Sequence, residues 1–431
     1  MTGGHIDDAA TVARLVALHA NTYDYLVEQP NDWVDLPGFL SAAQTSGIQV
    51  FAYLLPPTEC PHSTGGSTCD TYAPDAADYP QWGADLNALH GVHPNLVAWT
   101  IDDMDSGANT ALFTPSYVAT IRASAPDLQF FLQFYQPSMT AAKIATYAGH
   151  ADGVIMPYRD GAQADTVTTD TLQSEVAADT ALLNPYGMRL IVMVYGDTLG
   201  SDAATSTAEL PPDTGYVRTV TAQAWADVKA GTIAGVIVWK QALATPGVPA
   251  YRSAALSSWG NGVLDFTIGP KVGTTAGDFA QAAAKVTLDP GSTSCTLALS
   301  RRDDRDTTAP SGYHQKRAYV NGTLVWNSDV ASEGTDWYSS SPLDLTPYLS
   351  GGSATLALQL FENAGVSNYR THVDFDNLRL TGCSVPDPGF ETGAGWTLTH
   401  SADGVVHGTV YHYSPTFTTD TFSALADVFA S

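Results

Sequence analysis

The sequence predicts an α/β protein in which a parallel (β/α) barrel is followed by an antiparallel β-sandwich, and two patterns along the chain support this. Up to about residue 240, short apolar runs alternate with segments that have the 3.6-residue period of an amphipathic helix. Strands that alternate with helices form parallel sheets, and seven such units favour a (β/α)8-like TIM barrel over an open sheet. From about Gly262 the apolar period shortens toward 2, which is typical of an all-β jelly-roll sandwich.

Each predicted barrel strand is an apolar run that ends in polar or aromatic residues. The strands are Tyr23–Val27, Gln49–Leu55, Leu96–Ile101, Gln129–Tyr135, Gly153–Tyr158, Arg189–Tyr195 and Gly235–Trp239. The predicted helices end near Gly, Pro or Asn, as helix stop signals require. They are Asp7–Ala20, Leu36–Ser46, Trp82–His90, Pro115–Ser124, Ala141–Ala148, Thr169–Leu183, Gly215–Ala230 and a terminal helix, Pro249–Ser257. Because a helix precedes the first strand, the first barrel strand lies upstream, or the barrel has seven strands, or another part of the chain supplies a strand.

The later part of the chain predicts short strands separated by turn residues. They are Cys295–Ser300, Lys316–Val320, Thr323–Asn327, Ala354–Phe361 and His372–Leu380. Asn321-Gly322, between two of these strands, predicts a tight hairpin turn. The predicted units are therefore a barrel over 1–261, a sandwich over 262–384 and a tail over 385–431. The tail is a truncated module, an added layer on the sandwich, or the source of a barrel strand through Val405–Tyr413.

The charge balance of the chain limits its partners. It has 44 Asp plus Glu against 18 Lys plus Arg, a formal charge of −26. Such a surface repels phosphate backbones, anionic lipids and acidic polysaccharides, so we expect no nucleic-acid or membrane partner. No run of 18 apolar residues occurs, so no membrane-spanning helix is predicted. A neutral carbohydrate fits this charge best, and the oligomeric state stays open.

The four cysteines form two pairs, each within one predicted unit. Cys60 and Cys69 enclose a short loop after the second strand, and Cys295 and Cys383 bracket the β-rich region. This spacing favours two disulfides and an oxidising compartment. The alternative, a zinc site, lacks the CxxC or HxxxH spacing that supports it. The first residues do not resemble a signal peptide, so we expect a secreted protein whose signal peptide has been removed.

Carboxylates follow the predicted strands at the barrel face where active sites form. Asp102, Asp103 and Asp105 directly follow Leu96–Ile101, and Glu59 follows the second strand. Cleavage of a glycosidic bond needs an acid together with a nucleophile or base, so Asp103, Asp102 and Glu59 are the predicted catalytic residues. Neighbours on a regular strand point to opposite faces, so at most one of the two adjacent aspartates should face the barrel axis.

Aromatic and polar residues at the same face predict a sugar-binding site. Sugar faces stack on aromatic rings and sugar hydroxyls need polar partners. The predicted substrate-binding residues are Trp99, Tyr135, Gln136, Tyr158, Arg159, Asp160, Tyr195, Asp197, Trp239, Lys240 and Gln241. We expect no catalytic cofactor, since neither GxGxxG nor GxxxxGKS occurs. Asp374 and Asp376 are candidate ligands for a structural Ca²⁺ in the sandwich, with a metal-free edge strand as the alternative.

Two segments of the sandwich resemble a known class of module. The hairpin Tyr319-Val-Asn-Gly-Thr-Leu-Val-Trp326 and the strand Val373-Asp-Phe-Asp-Asn-Leu-Arg-Leu380 are similar to jelly-roll carbohydrate-binding modules appended to secreted glycosidases. A barrel followed by such a module resembles a secreted glycoside hydrolase, although no motif matches a particular family. The resemblance implies hydrolysis of glycosidic bonds in a neutral polysaccharide or oligosaccharide.

Two alternatives remain open from the residues. The first is a non-catalytic carbohydrate-binding protein that keeps the barrel as a scaffold. The second is a polysaccharide lyase that uses Tyr158 or Tyr195 with Arg159 or Lys240, because β-elimination needs a base and a group that neutralises charge.

Overall fold

A computed structural model describes residues 5–59, 74–159, 166–196, 212–241, 243, 259–268, 273–303, 310–332, 336–367, 371–413 and 417–431. These residues form a parallel barrel sheet surrounded by helices and a two-sheet β-sandwich. The predicted fold class is thereby confirmed. No helix in these ranges is long and apolar enough to cross a membrane.

The barrel sheet contains seven strands in the described ranges, each parallel to the next and paired in sequence order, and it is nearly closed. They are β1 (Thr22–Val27), β2 (Gln49–Leu54), β3 (Leu96–Ile101), β4 (Gln129–Gln133), β5 (Gly153–Pro157), β6 (Arg189–Tyr195) and β7 (Gly235–Trp239). The surrounding helices are α1 (Asp8–Ala17), α2 (Pro30–Thr45), α3 (Tyr79–His90), α4 (Asn109–Leu112), α5 (Pro115–Ser124), α6 (Ala141–Tyr147), α7 (Leu172–Leu183) and α8 (Thr214–Ala230). The predicted helix Pro249–Ser257 lies outside the described residues.

Helix α2 begins six residues before its predicted start at Leu36, at Pro30. The Asp32 carboxylate accepts hydrogen bonds from the backbone N–H groups of Glu28 and Gln29, at 2.9 and 2.7 Å, and so caps the first turn. Pro37 lies inside the helix, where proline removes a helical hydrogen bond. The cap and the burial of the following apolar residues outweigh that loss.

Successive residues of the barrel strands face two different environments. Trp99 of β3 points toward the helices, where its ring packs on Phe130 at 4.7 Å between centroids. Phe51 and Phe131 point into the barrel, where their rings stack at 5.7 Å. This alternation, with a period of 2, decides which side chain at each strand end can reach the barrel axis.

The sandwich contains two antiparallel sheets, built from short strands on both sides of an apolar core. The strands are β8 (Gly262–Ile268), β9 (Phe279–Leu288), β10 (Thr296–Asp303), β11 (His314–Val320), β12 (Thr323–Asp329), β13 (Tyr338–Ser339), β14 (Leu343–Asp344), β15 (Ser353–Glu362), β16 (Thr371–Thr381), β17 (Cys383–Ser384), β18 (Thr397–His400) and β19 (Val406–His412). One sheet has the order β13-β10-β16-β8-β19, with β14 beside β10, and the other has the order β12-β11-β15-β9-β17, with β18 beside β9.

Two predictions about the sandwich are confirmed. Strands β11 and β12 pair around Asn321 and Gly322, whose φ angles of 48° and 78° are those of the tight hairpin turn. Cys295 and Cys383 form a disulfide across a sequence separation of 88 residues. The second predicted disulfide cannot be compared in this way, because Cys60 and Cys69 lie outside the described residues.

The C-terminal segment contributes to both units. Strand β18 pairs with β9 and strand β19 pairs with β8, both antiparallel, so this segment adds one strand to each sheet of the sandwich. The hypothesis that Val405–Tyr413 supplies a barrel strand is therefore wrong. The chain then forms α9 (Phe417–Phe429), which the sequence analysis did not predict.

Helix α9 returns to the barrel and packs beside α8. Leu425 is fully buried and belongs to the core between the barrel sheet and its helices. Phe429 packs edge-on against Trp225 at 5.6 Å, and the guanidinium of Arg14 lies 3.8 Å from the ring centroid of Phe422. The last helix of the chain thus joins the outer helical layer of the barrel at its N-terminal helix.

Candidate active site

The carboxyl groups of Asp102, Asp103 and Glu59 meet at one end of the barrel. Glu59 follows β2, and the two aspartates follow β3. The Glu59 carboxyl group is in hydrogen-bonding contact with both aspartates. The strand stops at Ile101, and Asp103 has a left-handed φ of 41°. The expectation that at most one aspartate faces the site is wrong, because the chain turns before the strand alternation could separate them.

Asp102 is held in place by several donors. Its Oδ1 accepts hydrogen bonds from Gln133 Nε2 at 2.5 Å and from the backbone N–H of Asp103 at 2.8 Å. The Tyr53 hydroxyl also contacts this carboxylate and donates to Gln133 Oε1 at 2.9 Å. The backbone N–H of Asp102 continues the sheet by bonding Leu54 at 2.8 Å. Such fixed donors orient the carboxylate and stabilise its negative charge.

The three carboxyl groups affect one another's protonation. Burial raises the pKa of Asp102 to about 6, the charge of Asp103 adds to this, and the bonds from Tyr53 and Glu59 oppose it. The Glu59 residue is exposed as a whole, but its carboxyl group lies against the aspartates. Partial burial, followed by the charges of Asp102 and Asp103, raises the pKa of Glu59 to about 9. Between pH 6 and 9 the site therefore holds a protonated Glu59 beside an ionised Asp102.

Two tyrosines, Tyr135 and Tyr195, also lie at the carboxyl cluster. The hydroxyls of Tyr135 and Tyr195 contact each other, and Tyr135 also contacts Asp103. Burial raises the pKa of both tyrosines, while the positive charge of Arg159 opposes the shift for Tyr195. Both phenols are consequently protonated donors in the site. Arg159 is near enough to interact with Tyr195 electrostatically.

Strand β7 ends at Trp239, and Lys240 follows it on the same side of the barrel. The half-buried Trp239 ring meets Tyr195 edge-on at 5.3 Å. The ammonium group of Lys240 lies 4.4 Å from the Trp239 ring centroid, and Lys240 has a left-handed φ of 57°. A lysine in that conformation carries backbone strain of about 1 to 3 kcal/mol, which surrounding contacts must offset.

Two predicted substrate-binding residues are not in the site. Trp99 is fully buried between the sheet and the helices. Tyr158 is also fully buried there, and its ring stacks on Tyr216 at 6.4 Å. Both predictions are wrong because strand alternation turns these rings away from the axis.

The remaining predicted residues have different positions. Gln136 begins a 3-10 turn, Gln136–Ser138, after β4 and is half-buried, as is Gln241 after β7. Asp160 and Asp197 lie outside the described residues. Asp105 does not join the carboxyl cluster. It instead pairs with Lys143 at 3.1 Å and accepts a hydrogen bond from Ser138, which ties the turn after β3 to the elements after β4.

Sequence reasoning missed Tyr53 and Gln133 as site residues. Each lies inside an apolar strand, in Gln49–Leu54 and Gln129–Gln133, where a polar side chain suggests only an irregular core position. Their positions follow from alternation: each is two residues beyond an inward-facing phenylalanine, Phe51 or Phe131. The face of the strand on which each residue lies would have identified both residues. The residue types at the strand ends did not indicate that face.

The candidate calcium ligands in the sandwich have other contacts. The Arg302 guanidinium donates to Asp374 Oδ2 through Nε at 2.6 Å. The Asp376 carboxylate accepts from the backbone N–H of Asn377. No cluster of three His, Cys, Asp or Glu residues suited to a metal ion occurs in the part of the chain that the structure describes. Asp374 is thus neutralised by a cation of the protein itself.

No protein-family model and no curated protein matches the chain. Similar solved structures include a putative alpha-L-fucosidase from Bacteroides thetaiotaomicron, at 10% identity and a TM-score of 0.39 over 59% of this chain and 88% of that chain. A beta-1,4-mannanase is similar at 8% identity and a TM-score of 0.38 over 54% of this chain and 82% of that chain. Bacteroides uniformis beta-glucuronidase 2 is similar at 9% identity and a TM-score of 0.37, over 86% of this chain and 63% of that chain.

Proposed function

We propose that this protein is a glycoside hydrolase that acts on a neutral polysaccharide or oligosaccharide. The observation that carries the proposal is the contact between Glu59 and Asp102, whose pKa values are raised to about 9 and about 6. Acid-assisted cleavage of a glycosidic bond requires one carboxyl group that is protonated and a second that is ionised at neutral pH. Their position at strand ends of a barrel agrees with where such sites form.

The short distance between the two carboxyl groups is nearer to the retaining geometry than to the inverting one, and a sugar that enters between them has to separate them. Retaining enzymes have carboxyl groups about 5 Å apart, whereas inverting enzymes need about 6.5 to 9.5 Å to admit a water molecule between substrate and base. Glu59 gives its proton to the glycosidic oxygen as that oxygen leaves the anomeric carbon, and Asp102 forms a bond to the same carbon. Water then attacks the anomeric carbon and gives a proton to Glu59, and Asp102 leaves as a carboxylate.

Asp103 and the aromatic residues have supporting roles. Asp103 contacts Glu59 and Tyr135, which orients the acid. The rings of Tyr195 and Trp239 offer apolar surface for a sugar face. The excess of carboxyl groups at the site, like the net charge of −26, disfavours an anionic sugar.

The lyase alternative loses support from the same geometry. Tyr158 is buried away from the site. Burial raises the pKa of Tyr195, which makes its phenolate form, the base in a β-elimination, costly to generate. The non-catalytic alternative is decided by the experiment below.

The first experiment screens wild-type protein for products on p-nitrophenyl glycosides and on neutral polysaccharides, by released nitrophenol and reducing ends. Glu59→Gln and Asp102→Asn are then compared with Asp127→Asn, a change at an exposed carboxylate. We expect each of the first two to lower turnover by about 10²- to 10⁴-fold and the control to have no effect. Activity should rise through about pH 6 as Asp102 ionises, and it should fall on the alkaline side as Glu59 loses its proton.

A leaving-group series separates the two roles. Glu59→Gln should slow natural glycans far more than p-nitrophenyl glycosides, whose leaving group needs little protonation. Asp102→Asn should slow both equally. Unchanged turnover in both variants would refute the proposed function, and binding of a glycan without any product would favour the non-catalytic alternative.

We extend the proposal to location and to the sandwich. The Cys295–Cys383 disulfide supports a protein that works in an oxidising compartment outside the cell. Carbohydrate binding by the sandwich and a structural Ca²⁺ at Asp374 and Asp376 stay hypotheses. Calorimetric titration of the protein with neutral polysaccharide and with Ca²⁺ tests both.

A further inference from the structure

Strand β1 carries a carboxyl group, Asp24, into the barrel interior. Its two neighbours, Tyr23 and Tyr25, both pack on Phe39 of α2, at 5.1 and 5.2 Å between ring centroids. Because strand neighbours alternate, Asp24 points to the opposite face of the sheet, toward the barrel axis. It is paired in register with Phe51, whose ring lies in the barrel interior.

Asp24 shares the site of the catalytic pair. The charge of Asp102 acts on Asp24, and the charge of Asp24 acts in turn on Tyr53 of β2 and on Tyr23 of its own strand. Tyr53 contacts Asp102, so these three side chains from β1, β2 and the end of β3 surround one position.

One oxygen of Asp24 has no partner among the residues that the structure describes. Its Oδ1 atom is buried and makes no hydrogen bond there. Buried polar atoms are nearly always hydrogen-bonded, so an unpaired oxygen next to a catalytic carboxylate indicates that a partner arrives with the substrate. Sugars present hydroxyl groups, which can both donate and accept.

We infer that Asp24 is a further substrate-binding residue, whose carboxyl group hydrogen-bonds a hydroxyl group of the sugar that Asp102 attacks. This inference rests on the proposed function and names a contact within the same site. Neither the strand-end pattern nor the contact of Glu59 with the aspartates requires it, because Asp24 lies in the middle of β1.

The protonation state of Asp24 determines which hydrogen bonds it can form with a sugar hydroxyl group. Burial, and then the charge of Asp102, raises the pKa of Asp24 to about 8. At neutral pH it is therefore an uncharged carboxylic acid, with one O–H donor and acceptor oxygens for the sugar. It adds no negative charge beside the nucleophile under these conditions. The titratable groups around it are Tyr23, Tyr53 and Asp102, while the ammonium group of Lys240, after β7, lies over the Trp239 ring.

Asp24→Asn and Asp24→Ala test the contact. The amide keeps a donor and an acceptor of the same shape without ever ionising, whereas alanine removes both. With the p-nitrophenyl glycoside that wild-type protein hydrolyses fastest, Asp24→Asn should keep kcat/KM within about 3-fold at pH 6.5, and Asp24→Ala should lose about 10- to 100-fold. Thermal unfolding of both variants verifies that they fold.

The pH profile provides a readout that a structural role would not change. In wild type, Asp24 and Glu59 both deprotonate on the alkaline side, so log kcat/KM should fall with the slope of two protons. In Asp24→Asn the slope should fall to one proton and the decline should move upward, toward the pKa of Glu59. The acid-side rise belongs to Asp102 and should be the same in both proteins.

Monodeoxy glycosides identify the hydroxyl. Each analogue of the same p-nitrophenyl glycoside lacks one hydroxyl group. For the analogue that lacks the hydroxyl bound by Asp24, Asp24→Ala and wild type should have the same kcat/KM. Three outcomes would overturn the inference: Asp24→Ala with wild-type kinetics, Asp24→Asn as inactive as Asp102→Asn at every pH, or an equal penalty on all deoxy analogues.

A ligand-free measurement separates this inference from the proposed function. Carbon-13 NMR titration of labelled aspartate carboxyls should show one carboxyl that titrates near pH 8 in wild type and is missing in Asp24→Asn. If no glycoside is hydrolysed, the proposed function fails, and the contact is tested by calorimetry with neutral oligosaccharides. Binding retained by Asp24→Asn and lost by Asp24→Ala would then support the contact, and equal binding would refute it.

Discussion

The docking of α9 on the barrel gives a sharp test of how this chain completes its fold. Leu425 of α9 is fully buried in the barrel core, although almost two hundred residues separate it from α8, the helix it packs beside. We expect Leu425→Ala to destabilise the barrel, and not only the end of the chain. The variant leaves a cavity in a core that also contains Val217 and Val220 of α8.

The expected size follows from the burial. Truncation of a fully buried leucine to alanine costs about 2 to 5 kcal/mol, the spread reflecting how far the surroundings collapse. In a domain of barrel size, each kcal/mol lowers Tm by about 2 to 4 °C, so the barrel transition should move down by about 4 to 20 °C. Differential scanning calorimetry is the assay, since it can separate the barrel and sandwich transitions.

The control is Asp427→Ala, an exposed position on the same helix. This change should alter Tm by no more than about 1 °C, because surface substitutions usually change stability by less than about 0.5 kcal/mol. Arg14→Ala removes the cation that covers Phe422 and should cost about 0.5 to 2 kcal/mol. If Leu425→Ala and Asp427→Ala have the same Tm for the barrel transition, α9 is not part of the barrel core and the reasoning is refuted.

Three further predictions follow from individual contacts. Because the pKa of folded Glu59 lies above that of an unfolded glutamate, its ionisation favours unfolding, and stability is lost as pH rises from about 4 to about 9. The Tm of Glu59→Gln should therefore exceed that of wild type by more at pH 8 than at pH 5; an equal difference at both values would contradict the shift. Replacing Cys295 and Cys383 by serine should lower sandwich stability by about 4 to 5 kcal/mol in the loop-entropy model, in urea unfolding, while the barrel transition stays unchanged. Lys143→Met should destabilise the protein by about 1 to 3 kcal/mol, since it leaves the buried Asp105 without its cation, and adding Asp105→Asn should recover part of that loss; no recovery would argue against the pair.

Local patterns determined much of this architecture. The apolar run Leu96–Ile101 predicted a buried strand and Asn321-Gly322 predicted a hairpin, because period and turn chemistry act over a few residues. Helix α5 has the predicted bounds, Pro115–Ser124, because Thr114 caps its first turn and Pro115 suits its first position. Strand ends also placed Asp102 at the active face of the barrel, since all parallel strands end there.

The tertiary structure alone decided which residues meet. Trp99 and Asp102 are three residues apart, yet one lies in the core and the other in the site, because strand alternation and the turn after Ile101 separate them. Asp24 acquires its role from Asp102, a residue of a different strand.

The C-terminal helix illustrates the same limit on a larger scale. This helix was not predicted from the sequence, and the surface on which it packs is formed by α8 and α1. The packing free energy of a helix depends on which surfaces the whole fold brings together. A local sequence pattern does not specify partners that are far away in the chain. The identities of the strands and most helices were therefore encoded locally, while the site and the closing helix arise from contacts between residues far apart in the chain.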